Sequence, residues 1–271
     1  MARHEQAHRI AAPNGARIAV TVAGEGPALV LLPSLGRGAE DFDALVPPLA
    51  AAGHRVIRPQ PRWVGDSTGP VEGVTLHDLA ADVAAVIVAL AAAPAVVAGH
   101  AFGNYVARSL AADRPELVRG VALLAASPGK APPGEVTIGP AMRAAIMGSG
   151  DEALPAEERL AHLRTAFFAP GHDPSPWLAG WHAAAKRAQR AAIERTPVDD
   201  FFAAGRAPLL DLQAEEDAVA PPAQGGFLKA CLGERVTIAT IPRAGHALLP
   251  EQPEAVVRAL LRWMAGLPLY S

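Results

Sequence analysis

The chain has 271 residues, a formal net charge of -3 and a single cysteine, Cys231. This length suits one α/β domain with an insertion, and the slightly acidic balance excludes nucleic acid and anionic membranes as main partners, because both bind basic surfaces. One cysteine excludes an internal disulfide, and we interpret Cys231 as a small buried apolar residue on a helix.

The N-terminal nine residues carry several charges but no apolar segment of the kind found in secretory signals. A cytoplasmic location is therefore expected. The longest apolar tract, residues 83–99, is divided by Pro94 and is shorter than the roughly 20 residues that cross a bilayer. We expect no membrane partner.

The first half of the chain alternates short apolar runs with a segment of helical periodicity. Residues 28–32 form an apolar run that ends in a turn of small residues at 33–38. Thr75, followed three residues later by Asp78, matches a capping box, and apolar residues then recur at helical spacing up to Leu90. A second apolar run begins at Ala95. This order predicts a strand, a capped helix and a second buried strand.

The segment from Gly99 to Gly103 matches the G-x-S-x-G pattern of a nucleophile elbow, with Ala101 in place of the serine. An apolar run precedes it and a helix-like stretch follows it, which is the strand–turn–helix context that the pattern requires. Glycines flank the central residue because neighbouring side chains would collide in so sharp a turn. The methyl group of Ala101 can neither attack a carbonyl group nor donate a proton.

The strand–helix alternation breaks between residues 127 and 206. Several prolines open this segment, and it contains no convincing strand. Apolar spacing predicts helices at 155–169 and 176–195, with Trp177 and Trp181 one turn apart. We interpret residues 128–206 as a helical lid inserted over the site.

The last third of the chain supplies two candidate catalytic residues. An apolar run at 208–212 leads into an acidic loop with Glu215, Glu216 and Asp217, and a further run at 236–242 leads to His246. Apolar runs that alternate with amphipathic helices predict a mostly parallel sheet with helices on both faces. Ligands of such folds bind beyond the carboxyl ends of the strands, where these residues are expected.

With the elbow, the acid and the histidine in this order, the chain resembles the α/β-hydrolase superfamily from about residue 15 to residue 266. The resemblance implies one α/β-hydrolase domain over residues 1–271. It also implies Ala101 at the nucleophile position, Asp217 as the acid and His246 as the base. The amide groups of Leu35 and Phe102 would form the oxyanion hole. The Pro-Pro pair at 221–222 favours Asp217 over the two neighbouring glutamates.

Two departures from the family pattern stand out, at Ala101 and in the segment 60–67. Trp63 stands where many relatives have a glycine in the pattern D-x-R-G-x-G-x-S, and Ala101 stands where they have the serine. Three accounts of Ala101 remain open: an engineered inactive form, a natural loss of the nucleophile, or a natural site that works without a covalent intermediate.

Several residues are candidates for contact with substrate, each with a structural alternative. Trp63 either limits the size of the substrate or packs outward, and the lid tryptophans either line the pocket or pack on the lid itself. His100 fits a packed histidine under the turn. The nine histidines show no metal-ligand spacing, so we expect neither a metal nor a cofactor. The candidate substrate-binding residues are Ser34, Trp63, His100, Trp177 and Trp181.

These observations predict a hydrolase of a small apolar ester, lactone or amide, with the nucleophile replaced. A lyase or proton-abstraction catalyst that uses His246 and Asp217 as a general base is the first alternative. A non-catalytic binder of small molecules is the second. The expected partner is a small-molecule substrate, and the expected state is a monomer or homodimer.

Overall fold

The computed structural model of the protein describes residues 5–130 and 138–268. The strands in this part are β1 (Gln6–Ala11), β2 (Arg17–Ala23), β3 (Ala28–Leu32), β4 (Arg55–Pro59), β5 (Ala95–His100), β6 (Val118–Leu124), β7 (Leu209–Ala214) and β8 (Val236–Ile241). The α-helices are α1 (Val46–Ala51), α2 (Leu76–Ala89), α3 (Gly103–Asp113), α4 (Pro140–Ser149), α5 (Ala156–Ala166), α6 (Ala183–Arg195), α7 (Val198–Phe201), α8 (Pro222–Leu232), α9 (Leu248–Glu251) and α10 (Pro253–Ala265).

The strands form one mostly parallel sheet in the order β1-β2-β4-β3-β5-β6-β7-β8. Strand β2 pairs antiparallel with both β1 and β4, and the strands β4, β3, β5, β6, β7 and β8 run parallel to one another. The predicted fold class is therefore confirmed. Because the central strands run parallel, β3, β5, β7 and β8 all end at one edge of the sheet, as the placement of the candidate residues requires.

The sheet is buried on both faces, as its continuous apolar strands indicate. In β3, Val30 and Leu32 pack into one core, which also contains the apolar faces of α2 and α3. Leu29 and Leu31 point the other way, into a core that contains residues of α1, α9 and α10. The predicted cap of α2 is present, because the hydroxyl of Thr75 accepts from the amide of Asp78 and the Asp78 carboxylate accepts from the Thr75 amide.

Helices α4 to α7 lie between β6 and β7, in the segment that the sequence marks as an insertion. The predicted bounds of two helices are wrong: α5 ends at Ala166, and α6 begins only at Ala183. Residues Ser175–Leu178 form a short 3₁₀ turn instead, and Gly180 adopts a φ of +78°, which interrupts helical geometry. Residues 131–137 of the predicted lid lie outside the described residues.

The expectation that Cys231 is buried is wrong, because its side chain is exposed. Helix α8 buries Gly225 and Leu228, and its last turn, which contains Cys231, faces solvent.

A buried ion pair holds the loop after β4 against α2. The guanidinium of Arg62 donates to the Asp82 carboxylate at 2.5 and 2.8 Å, and the two side chains are only 1% and 6% exposed. Burial raises the pKa of Asp82 above its ordinary value in spite of this partner. The buried carboxylate of Asp82 therefore needs the guanidinium of Arg62 as its partner, and this ion pair fixes the position of the loop.

We expect Arg62→Met to lower the free energy of unfolding by about 3–5 kcal/mol, because it leaves a buried carboxylate without its partner. Urea denaturation measures the change. Arg9→Met is the matched control, since Arg9 pairs with Asp66 of the same loop but both side chains are mostly exposed. That control should change the stability little. Equal effects of the two substitutions would contradict the assignment.

Candidate active site

The turn between β5 and α3 has the geometry of a nucleophile elbow. Ala101 at its tip adopts a φ of +45°, a left-handed conformation that is rare for residues other than glycine. A Cβ atom at Gly99 would collide with the backbone of Gly103 and Asn104, and one at Gly103 would collide with the carbonyl oxygen of Leu32. The two glycines are therefore required for β5 and α3 to approach this closely. The turn presents Ala101 to a cavity.

His246 and Asp217 form a buried pair at the same edge of the sheet. The Nδ1 atom of His246 lies 2.9 Å from Oδ2 of Asp217, and the two side chains are 5% and 0% exposed. The other carboxylate oxygen of Asp217 accepts from the amides of Val219 and Ala220, each at 2.8 Å. These bonds fix the carboxylate, which in turn orients the imidazole.

The backbone around His246 is held by two further buried side chains. Nε2 of His100 donates to the carbonyl oxygen of His246 at 2.8 Å. Burial lowers the pKa of His100 to about 3, so this ring stays neutral. The Glu251 carboxylate accepts from the amides of Gly245 and Ala169, both at 2.6 Å. His100 and Glu251 therefore position the loop that carries His246.

Glu251 is a positioning residue that sequence reasoning missed. It lies at the end of the four-residue helix α9, five residues after His246. Burial raises the pKa of its carboxyl group, and the two amide donors oppose this effect. In the sequence, Glu251 lies shortly before the proline that begins α10. A glutamate at such a position is typical of an exposed acid in the first turn of a helix, so the sequence does not indicate that Glu251 is buried.

Two backbone amides at the cavity are free to bind a negatively charged oxygen. Leu35 and Phe102 both line the cavity, and within residues 5–130 and 138–268 neither amide donates a hydrogen bond to a protein group. Phe102 immediately precedes α3, where helix amide groups are unsatisfied. Both positions match the oxyanion-hole amides that the sequence resemblance implies.

The cavity has a volume of about 410 Å³, large enough for a small organic molecule. Ser34, Ala101 and His246 line it together with apolar groups from the insertion, among them Phe167 and Trp181. Its lining also contains charged groups that sequence reasoning missed: Arg143, Lys186, Arg190 and Glu194.

The two predicted tryptophans of the insertion have different positions. Trp181 lines the cavity, whereas Trp177 is buried behind it, with the two rings edge to face at 6.0 Å. The indole N–H of Trp181 donates to the carbonyl oxygen of Trp177 at 2.5 Å, and the guanidinium of Arg37 lies over both rings. Trp177 therefore supports the wall that Trp181 presents. His100 lies beneath the elbow and is not part of the lining.

Trp63 does not line the cavity, contrary to the expectation that it limits substrate size. Its indole N–H donates to the carbonyl oxygen of Gly69 at 3.2 Å, and its ring packs against the core beneath α2. Trp63 is therefore a packing residue, but its ring packs inward against the core and not outward as the sequence alternative proposed.

No group of three or more His, Cys, Asp and Glu side chains within the described ranges is placed to hold a metal ion. Among the helices described, none is both long and apolar enough to cross a bilayer.

The order of the strands and the elbow after β5 are those of the α/β-hydrolase fold class. The model of the alpha/beta hydrolase family matches residues 29–259, and the chain belongs to this family. It is 31% identical over 231 residues to a Mycobacterium tuberculosis protein named "Putative non-heme bromoperoxidase BpoC", covering 82% of this chain and 87% of that one. It is 28% identical to "Putative carbamate hydrolase RutD" of Variovorax paradoxus, covering 89% and 92% of the two chains.

Among solved structures, the chain is similar to a hydrolase from Pseudomonas aeruginosa PA01. The TM-score is 0.75 at 25% sequence identity, and the match covers 96% of this chain and 99% of that one. Family membership and these relatives support a hydrolase.

Proposed function

We propose that this chain carries the site of a hydrolase of small carboxylic esters, lactones or amides in which an alanine occupies the nucleophile position. One observation carries the proposal: His246, whose Nδ1 lies 2.9 Å from Oδ2 of the buried Asp217, lines the same cavity as Ala101 at the tip of the elbow. The unpartnered amides of Leu35 and Phe102 supply the remaining part of an acyl-transfer site.

A serine at position 101 would complete the catalytic site. Its hydroxyl oxygen would attack the substrate carbonyl carbon while His246 takes the hydroxyl proton, and Asp217 would stabilise the imidazolium. The amides of Leu35 and Phe102 would bind the oxyanion. His246 would then protonate the leaving group, and a water molecule would release the acyl group by the same steps.

With alanine at this position, no covalent intermediate can form. What remains is substrate binding and oxyanion stabilisation. Removal of a triad member elsewhere leaves about 10³–10⁴-fold catalysis over water from such remnants. The chain as it stands is therefore a binder of esters with weak residual turnover.

We also propose that the inserted helices act as a lid. The cavity walls include Arg143 and Ile146 from α4 and Lys186 and Arg190 from α6. The loop after β3 (residues 33–38), called the oxyanion loop because it contains Leu35, also contacts the insertion: the backbone amide of its Gly36 donates to the side chain of Gln189 of α6 at 2.7 Å. These contacts support an insertion that covers the site and helps to define the substrate.

Labelling with a fluorophosphonate probe tests the proposal. Ala101→Ser should be labelled once, at the introduced serine, because the probe reacts with activated serine nucleophiles. The unaltered chain should remain unlabelled, and Ala101→Ser combined with His246→Ala should be labelled much more slowly. A folded Ala101→Ser variant that does not react would contradict the proposal.

The second candidate function is general-base catalysis without a covalent intermediate. The observation that favours it is that the His246–Asp217 pair is complete and buried although the nucleophile is absent. In such an enzyme His246 would remove a proton from the substrate or from water.

The ratio of rates for this chain and its His246→Ala variant separates the two functions. If the chain retains only a remnant of acyl-transfer catalysis, we expect His246→Ala to change ester turnover little, because the oxyanion amides persist. A loss of about 10²–10⁴-fold would instead establish general-base catalysis. The measurement is the initial rate of ester hydrolysis by the unaltered chain and by the His246→Ala variant, and circular dichroism checks that the variant is folded.

A further inference from the structure

Three cationic side chains line the cavity, although the whole chain is slightly acidic. Arg143 comes from α4, and Lys186 and Arg190 come from α6. Among the described residues, Glu194 is the one carboxylate in the lining. Within the described residues, none of the three cations forms an ion pair with a carboxylate. Groups of one sign in a concave site attract ligands of the opposite sign.

Lys186 is the most informative of the three, because it is only 7% exposed. Its Nζ atom donates to the carbonyl oxygen of Ile146 at 3.2 Å and lies 5.2 Å from the centre of the Trp181 ring. Burial, with a smaller contribution from Arg190 and against the opposing effect of Asp151, lowers the pKa of Lys186 to about 8. A buried ammonium whose contacts are one carbonyl and a ring lacks the paired anion that buried charges usually have.

The guanidinium groups of Arg143 and Arg190 also lack a charged hydrogen-bond acceptor among the described residues. Nη1 of Arg190 contacts the thioether sulfur of Met147 at 3.0 Å, which is a weak, uncharged acceptor. The guanidinium of Arg143 has no hydrogen-bond acceptor among the described residues. A solvated helix face explains an exposed arginine, but it does not explain the buried Lys186 one turn before Arg190.

Lys186 has a fixed place relative to the reaction centre. Gly36 adopts a φ of +68°, and a Cβ atom there would lie 2.7 Å from Cβ of Lys186. Gly36 follows Leu35, which offers one of the two free amides, and its own amide is bound by Gln189 of the same helix. Lys186 is therefore held beside the oxyanion loop.

We propose that Lys186, assisted by Arg190, binds a carboxylate group of the substrate. The substrate class is then an ester or amide of a small acid that bears a second, free carboxylate, rather than the wholly apolar ester that the sequence led us to expect. The choice of ester or amide rests on the proposed function, whereas the anion subsite rests on the unpaired cations alone.

The test compares the affinity of the unaltered chain for benzyl hydrogen glutarate and for benzyl methyl glutarate by isothermal titration calorimetry. The two esters differ only in whether the distal carboxylate is free. We expect the anionic ester to bind about tenfold or more tightly, because a charge-assisted hydrogen bond replaces a neutral one. Equal affinity, tighter binding of the methyl ester, or no binding of either would overturn the proposal.

Two substitutions at Lys186 test whether this residue causes the preference for the anionic ester. Lys186→Met should abolish most of it, and Lys186→Arg should restore part of it. Lys229→Met is the matched control, because Nζ of Lys229 also donates to a backbone carbonyl at 3.2 Å, that of Val236, but Lys229 does not line the cavity. A preference that survives in Lys186→Met, or that Lys229→Met also removes, would overturn the assignment to Lys186. If Lys186→Met does not fold, the comparison of the two esters on the unaltered chain still decides the proposal.

Binding by the unaltered chain does not depend on turnover. An inert Ala101→Ser variant would therefore refute the proposed hydrolase function and leave the carboxylate subsite standing. Equal binding of the two esters would refute the subsite and leave the hydrolase function standing.

Discussion

Ala101→Ser is expected to raise kcat/KM for a short-chain p-nitrophenyl ester by about 10³-fold or more over the unaltered chain. In the proposed site the serine oxygen is the one part that the chain lacks, because His246 is paired with Asp217 and the residues Leu35 and Phe102 line the same cavity. The positive φ of 45° at Ala101 is already accommodated by an alanine, so a serine needs no new backbone geometry. Steady-state release of p-nitrophenol measures the gain.

Two controls separate the gain from a general effect of an added hydroxyl. Ala91→Ser introduces a serine at another residue with positive φ, +48°, at an exposed position after α2. It should leave the rate unchanged. Ala101→Ser combined with His246→Ala should return the rate to near that of the unaltered chain. A gain of less than tenfold in folded Ala101→Ser would contradict the assignment of the elbow.

The second large effect is expected from the acid. In the Ala101→Ser background, Asp217→Asn should lower kcat by about 10³-fold or more, toward the rate of the unaltered chain, with little change in KM, because an amide neither orients the imidazole correctly nor stabilises its charged form. Steady-state kinetics over a range of ester concentrations separates the two parameters.

Glu216→Gln is the matched control for the acid, because Glu216 is the adjacent carboxylate in the same loop and is exposed. Its kcat should stay within experimental error of the parent. A large loss of activity in Glu216→Gln with little loss in Asp217→Asn would show that the acid is misassigned.

The parts of the fold that the sequence predicts are those that short-range chemistry determines. Strand β3 is recognisable because all five of its residues are apolar and buried, and α2 because Thr75 and Asp78 close its first turn. The elbow is recognisable because only glycine fits at Gly99 and Gly103. Each signal is complete within a few residues of sequence.

The parts that the sequence does not predict depend on which segments meet in space. Apolar spacing around Trp177 suggests a helix, but the backbone there turns through Gly180 before α6 begins. The family pattern suggests that Trp63 faces substrate, yet its ring is held by Gly69 and the core.

The charged lining is hidden from the sequence for the same reason. Lys186, Arg190 and Glu194 recur every four residues on α6, which is typical of a solvated helix face. Only the packing of α6 against the oxyanion loop and α4 turns this stripe toward the cavity and buries Lys186.

Mass analysis of an acyl intermediate tests the central claim most directly, namely that the site lacks only a nucleophile at position 101. Ala101→Ser is incubated with p-nitrophenyl acetate, quenched in acid within the first turnover and digested. The expected result is one acetyl group, attached to the introduced serine and absent from the unaltered chain. Hydrolysis of the ester by Ala101→Ser without acetylation at that position, or acetylation at another residue, would contradict the account.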